Sequence, residues 1–191
     1  MTKSLLKNST VKMIASLAVV GILSGALLVL VYEYSTPKIR VNVENETERA
    51  IKNIFPEAVK INKTKEPGFF SVQDANDKLS GYAFIAEGNG YQGVIKLIIG
   101  VDPKLTEIKG MEVLDSAETP GLGAEIAEDK FRKQFEDLSA RREIEYVKNQ
   151  KPNKPSEIEA ITGATISSRA VVAIVNNGMS GIREKIEAGK L

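Results

Sequence analysis

Cysteine, histidine and tryptophan are all absent from this chain, and aromatics make up only 6% of it. Without thiolates there is no cysteine-ligated iron–sulfur cluster, zinc ribbon, disulfide or cysteine nucleophile. Without imidazole the commonest general base and transition-metal ligand is missing, and serine–histidine and cysteine–histidine catalysis are excluded. Any redox role therefore requires an organic cofactor, because these side chains offer no good redox centre. An excess of either charge is lacking too: 26 Lys and Arg face 25 Asp and Glu, for a formal net charge of +1. A nearly neutral chain with few aromatics gives no support for a nucleic-acid surface. Carboxylate chemistry and oxygen-ligated divalent ions stay open, but no catalytic or metal-ligand set stands out.

What is present begins with an uneven start. Residues 1–32 carry Lys3, Lys7 and Lys12 and no acidic residue, and residues 13–32 read MIASLAVVGILSGALLVLVY without a charge. A helix of that length spans roughly 30 Å, the thickness of a bilayer hydrocarbon core. The run continues to Val31 and Tyr32, and Glu33-Tyr34-Ser35-Thr36-Pro37 offers no small-residue cleavage pattern. The segment reads as a retained anchor. Three lysines ahead of it, against Lys38 and Arg40 tempered by Glu33 and Glu44 behind it, favour a cytoplasmic N-terminus. Gly21 and Gly25 form a G-x-x-x-G that suits close approach of another membrane helix, although glycine is common in such helices anyway.

Pro37 is expected to break any continuing helix. The organisation expected is a cytoplasmic segment 1–12, a transmembrane helix 13–32, a connector 33–42 and one domain over 43–191. Periodicity within that domain predicts an amphipathic helix over 45–55, with Ala50, Ile51, Ile54 and Phe55 on one side and Pro56 as a stop. Strands are expected over 69–73, 81–87, 94–101 and 107–114, separated by turn-forming Asp, Asn, Gly and Pro. The third is almost wholly apolar (VIKLIIGV), as a central strand would be. A second helix is predicted over 123–138, with Ala124, Ala127, Phe131, Phe135 and Leu138 facing the core. A strand near 143–147, a polar loop over 148–155 and a last helix from about Ser167–Ser168 follow. That helix carries Val171, Val172, Val175, Met179, Ile182 and Ile186 as its stripe. The sum is an α+β domain with an antiparallel-rich sheet and flanking helices.

Two clusters of small residues interrupt this pattern: Ser116-Ala117-Glu118-Thr119-Pro120-Gly121-Leu122-Gly123, and Glu159 through Thr162-Gly163-Ala164-Thr165 to Ser167-Ser168. Each precedes a predicted helix, where free N–H groups and the dipole favour an anion. The plain alternative is that Thr165 or Ser167 simply caps the helix. No G-K-[ST] follows the glycine, so this is not a P-loop.

With ETPGLG at 118–123 and TGATISSRAV at 162–171 behind one apolar span, the chain resembles the G subunit of the Rnf ion-translocating electron-transport complex. More distantly it resembles the C subunit of the sodium-translocating NADH:quinone reductase. The resemblance implies an FMN-binding domain whose D-x-x-[ST]-G-A-T motif receives FMN, its phosphate esterified to the final threonine by a separate flavin transferase. Here that threonine is Thr165, with Thr162, Gly163 and Ala164 completing the motif and Ser167 just inside the helix. Glu159 stands where the motif has Asp, one methylene longer. By the same resemblance the ETPGLG loop lies against the flavin, which points to Glu118, Thr119, Gly121 and Leu122. The implied protein is an electron carrier in the cell's inner membrane, its domain extracytoplasmic, its partners the other membrane subunits and, during maturation, the transferase. The competing readings are the equivalent subunit of a sodium-translocating NADH:quinone reductase and a membrane-tethered binding or scaffold domain without flavin. Lacking His and Cys to activate Thr165, the chain suits attachment by an outside enzyme.

Overall fold

The structure is a computed structural model that describes the backbone of residues 2–187 and the side chains of residues 9–187. Lys3 and Lys7, counted ahead of the apolar run, lie outside the described side chains. Two compact units are present, Met1–Asn45 and Glu46–Leu191.

The first unit is helical, within α1 (Thr2–Ile54), and is long and apolar enough to cross a membrane. Gly21 and Gly25 face open space, with nothing within 4 Å of where a Cβ would stand. Pro37 does not end the helix, and residues 33–42 are helical rather than an extended connector. An interior proline removes one main-chain bond and costs about 3 kcal/mol, which long flanks of helix-forming sequence can offset. Side chains add local support. The Thr36 hydroxyl donates to the Tyr32 carbonyl at 2.7 Å, and Lys38 Nζ donates to Tyr34 Oη at 2.6 Å while lying 3.9 Å from that ring's centroid.

The second unit begins with the last residues of α1, so the helix expected over 45–55 forms as a continuation and not as a separate element. Six strands follow in one meander: β1 (Lys60–Lys63), β2 (Phe69–Gln73), β3 (Leu79–Asn89), β4 (Val94–Val101), β5 (Glu107–Ser116) and β6 (Leu138–Ser139). Each pairs antiparallel with the next, in sequence order. β7 (Glu145–Val147) and β8 (Glu157–Glu159) form a separate parallel pair. β1, β6 and β8 are too short, or too polar, to carry a period-2 signal, so periodicity does not reveal them.

Both faces of the sheet are covered, which explains the unbroken apolar run of β4. Ile95, Leu97, Ile99 and Val101 point into one core and Ile98 into the other, as alternation along a strand requires. The smaller core holds Ala50, Ile51 and Phe55 against Phe70, Val72, Ala83 and Ile98. Glycines on two strands admit that cover. A Cβ at Gly81 would lie 2.9 Å from the Phe55 ring, and one at Gly100 would lie 2.7 Å from it.

The larger core is closed by α3 (Thr165–Glu187), whose Val171, Val172, Val175, Met179 and Ile182 are buried as its stripe predicts, while Ile186 stays 37% exposed. α3 starts two residues before the expected position. The helix expected over 123–138 is replaced by a 3-10 turn (Gly123–Ala127), α2 (Asp129–Arg132) and a second 3-10 turn (Lys133–Phe135). Glu128, at φ −76° and ψ 147°, is extended and breaks the run. That break rotates the inward positions: Ile126, Phe131 and Phe135 are buried, Ala127 is exposed, Ala124 is half-buried, and Leu138 joins β6.

α3 crosses β3 through small residues. A Cβ at Gly178 would stand 2.7 Å from the Phe84 ring and 3.2 Å from Ala86 Cβ. Gly178→Val is therefore expected to lower unfolding stability by about 1–3 kcal/mol, through overpacking against a buried ring. Urea denaturation followed by circular dichroism checks this.

Candidate functional site

The loop after β5 turns on one carboxylate. Glu118 is buried, and its Oε1 accepts hydrogen bonds from the backbone N–H groups of Tyr91 (2.7 Å) and Gln92 (3.0 Å) in the β3–β4 turn. Its Oε2 accepts the Ser167 hydroxyl, 2.5 Å away, from the first turn of α3. Burial alone would raise the Glu118 pKa, but the hydrogen bonds from Ser167 and from the amides of Gln92, Tyr91 and Gly93 outweigh it. They hold the group below the ordinary glutamate range. Gly90 and Gly123 flank the carboxylate so closely that a Cβ at either would collide with its oxygens. Three segments distant in sequence are thereby drawn to one point.

The second cluster is bound to the first through this contact and through Leu122. A Cβ at Gly163 would lie 3.5 Å from Leu122 Cδ2, and Gly163 and Gly121 both adopt positive φ, +84° and +72°. That backbone region favours glycine, which explains both residues. Thr119, half-buried, closes its own turn: its carbonyl accepts from Leu122 N (3.2 Å) and Ala124 N (3.0 Å). Ala164 is buried and its carbonyl accepts both the Ser168 N–H and the Ser168 hydroxyl, at 3.0 and 3.1 Å. The Ser168 Oγ in turn accepts from Ile161 N at 3.0 Å, locking the turn ahead of the helix.

The hydroxyls of this stretch thus have distinct fates. Ser167 and Ser168 are buried and engaged, and the Thr162 hydroxyl lies 3.5 Å from Asn149 Oδ1 on an exposed turn. Thr165 is the first residue of α3, half-buried, and its hydroxyl has no hydrogen-bond partner among the described residues. The capping reading does not hold for either candidate. Thr165 bonds to no backbone N–H, and Ser167 donates to Glu118 instead. The first turn of α3 also contains no acidic residue of its own, and the carboxylate that meets it is that of Glu118, through Ser167.

Around this head lies an apolar rim. Leu122 is 48% exposed, Ile166 46% and Tyr91 66%. Ile166 and the backbone amides of the β3–β4 turn were not singled out from the sequence, although the glycines at 88, 90 and 93 signalled a constrained turn. Glu159 sits apart from the rim. Its backbone N–H donates to Gln134 Oε1 at 2.6 Å, and it lines a cavity of about 400 Å³ with Thr162, Glu125, Glu128 and Phe131. A larger cavity, about 740 Å³, is lined by Lys109, Glu112 and Arg132 among others and contains none of the candidate residues.

Residues 90–180, which include the turn, both loops and most of α3, match the family model of the FMN-binding domain. The domain class is therefore an FMN-binding domain with a curled antiparallel sheet. Over 190 residues the chain is 32% identical to the G subunit of the proton-translocating ferredoxin:NAD(+) oxidoreductase complex of Clostridium ljungdahlii, covering 98% of this chain and 95% of that one. It is 29% identical to the G subunit of the ion-translocating oxidoreductase complex of Methanosarcina acetivorans, covering 88% and 92%. The chain belongs to the family of G subunits of these ion-translocating (Rnf) complexes. Among solved structures, Shewanella oneidensis NqrC matches in fold with a TM-score of 0.54 at 22% identity, over 64% of this chain and 65% of that one. The C subunit of the Na(+)-translocating NADH-quinone reductase from Parabacteroides distasonis matches with a TM-score of 0.53 at 27% identity, over 59% of each chain.

The residues present fit FMN. A reachable hydroxyl stands at a helix head whose own first turn holds no acidic residue, the nearby Glu118 carboxylate being buried against Ser167, and an exposed apolar rim stands beside it for a ring.

Because the folded Glu118 is held below its ordinary value of 4.5, its contribution is complete above that pH and is lost as pH falls through the lowered value. Glu118→Gln is expected to cost about 1.5–3 kcal/mol at neutral pH. The gap between wild type and variant should then narrow as the buffer is acidified below that ordinary value. Urea titrations at several pH values measure it.

Proposed function

We propose that this chain is the electron-carrier subunit of a membrane-bound, ion-translocating ferredoxin:NAD oxidoreductase complex, and that it carries FMN through a phosphoester to Thr165. The observation that carries the attachment is the state of the Thr165 hydroxyl: accessible, unengaged and at the head of a long helix, while its serine neighbours are committed to the fold. Family membership supports the complex, and the FMN-binding domain over 90–180 supports the cofactor.

Each named residue has a part in this reading. Thr165 provides the ester oxygen. Gly163 and Ala164 keep bulk away from it, as an incoming transferase requires. The free N–H groups of α3's first turn would hold the phosphate and would stabilise its remaining charge by about 0.3–1 kcal/mol. Leu122, held against Gly163, and Ile166 offer apolar surface to the ring, and Thr119 and Gly121 shape the loop that presents Leu122. Glu118 holds that loop to α3 through Ser167. When bound, the flavin supplies the redox centre that the side chains lack. So modest a stabilisation of the phosphate suits a covalent tether, which replaces a bimolecular equilibrium with a high effective concentration.

The helix of the first unit anchors the chain as a single pass, with residues 46–191 on the extracytoplasmic side. The lysine excess ahead of the apolar run supports that orientation. The partners are the other membrane subunits, together with a flavin transferase during maturation. The chain by itself is expected to turn over no substrate.

In cells that contain the transferase, the denatured protein is expected to fluoresce in a gel, since a covalent flavin survives denaturation. Thr165→Ala should abolish that signal while changing stability by less than about 0.5 kcal/mol, because the side chain is half-exposed and unbonded. Retained fluorescence, or an unmodified intact mass for the wild-type chain, would overturn the assignment.

A further inference from the structure

The head of α3 holds a cation that the fold leaves unbalanced. α3 contains Arg169, Arg183 and Lys185. The latter two lie toward the C-terminal end, where the dipole favours positive charge, and both are committed. Arg183 donates to the carbonyls of Ala140 and Leu105, and Lys185 pairs with Glu66 at 3.1 Å. Arg169 lies near the opposite end, in the second turn from the N-terminus, where the dipole gives a cation no support. It is exposed, and among the described residues it makes no hydrogen bond or ion pair. The carboxylate that reaches this helix head, Glu118, is buried and engaged by Ser167 and the turn amides. No acidic residue stands in the first turn.

Arg169 follows Thr165 by four residues. On a helix such residues sit one turn apart on adjoining surface, with Cβ atoms about 5–6 Å apart. A group esterified to the Thr165 oxygen would project from the helix head within reach of a guanidinium on the next turn. The guanidinium presents a planar fork of donors that matches two phosphate oxygens.

We infer that Arg169 is the counter-ion of the phosphodiester at Thr165, a positioning residue that fixes the tether's direction along α3. This rests on the preceding reading of Thr165. It gives a partner to a cation that has none among the described residues: flavin attachment would place an anion within reach of Arg169. One singly charged phosphodiester answers both the arginine and the helix end.

The test compares the full-length chain, purified in detergent, with and without co-expressed transferase, as wild type, Arg169→Gln, Arg169→Lys and Arg169→Glu. Intact mass gives the loaded fraction, and circular dichroism gives the shift in Tm on loading. At low salt the wild-type shift is expected to exceed that of Arg169→Gln by about 2–4 °C, with most of it restored in Arg169→Lys and the sign reversed in Arg169→Glu. High salt should shrink the difference by screening. Loss of loading in Arg169→Gln with recovery in Arg169→Lys supports the same assignment, because charge rather than shape then decides. Equal Tm shifts in wild type and Arg169→Gln at equal loading overturn it. Failure of the Thr165 reading is distinguishable, since the wild-type mass would then show no adduct at all.

Discussion

The buried carboxylate of Glu118 is the constraint on which the candidate site depends. A charge so enclosed is tolerable only when its oxygens are filled with donors, and here the amides of one turn and one hydroxyl of a distant helix supply them. The donors come from the β3–β4 turn and α3, the acceptor from the loop between β5 and the 3-10 turn. Each segment is therefore positioned by the need to solvate the same group. The glycines around it follow from the same need, because a methyl at Gly90 or Gly123 would displace an oxygen. Ser167 is withdrawn from capping for the same reason, and Thr165, the first residue of α3, stays half-buried with its hydroxyl unengaged.

The two-sided sheet provides the rigid background. β4 is buried along nearly its whole length, and each face is closed by a helix that approaches over glycines. A fully buried aliphatic side chain contributes about 1.5–3 kcal/mol, and many such residues converge behind the loops. The site itself is the opposite: small, polar, glycine-rich and exposed at its edge. Stability and access are thus divided between the core and the rim of the same elements.

Much of this is legible in the residues. The apolar run at 13–32, the VIKLIIGV strand and the stripe on α3 follow from periodicity, and the two small-residue clusters stand out against it. What stays hidden arises from contacts distant in sequence. The Glu118–Ser167 bond joins residues 49 apart, and no local pattern announces it. The helix expected over 123–138 is broken where Glu128 is extended, so that Ile126 and Phe131 turn inward while Ala127, expected inward, is exposed. Pro37 reads as a breaker because the rule concerns the bond it removes, whereas the surrounding helix outweighs one bond. The isolation of Arg169 is likewise invisible in sequence, since acidic residues are abundant and only the fold directs them elsewhere.

Where each hydroxyl points has a consequence for selectivity. The unfolded stretch 162–168 offers four chemically similar alcohols to any esterifying agent. In the folded chain two are buried in hydrogen bonds, one hangs on a turn beside Asn149, and one crowns a helix. Regiochemistry at this loop is then narrowed by the acceptor's own architecture: the two serines are withdrawn, and an agent has only Thr162 and Thr165 left to tell apart. Folding would have to precede modification for that choice to be made correctly.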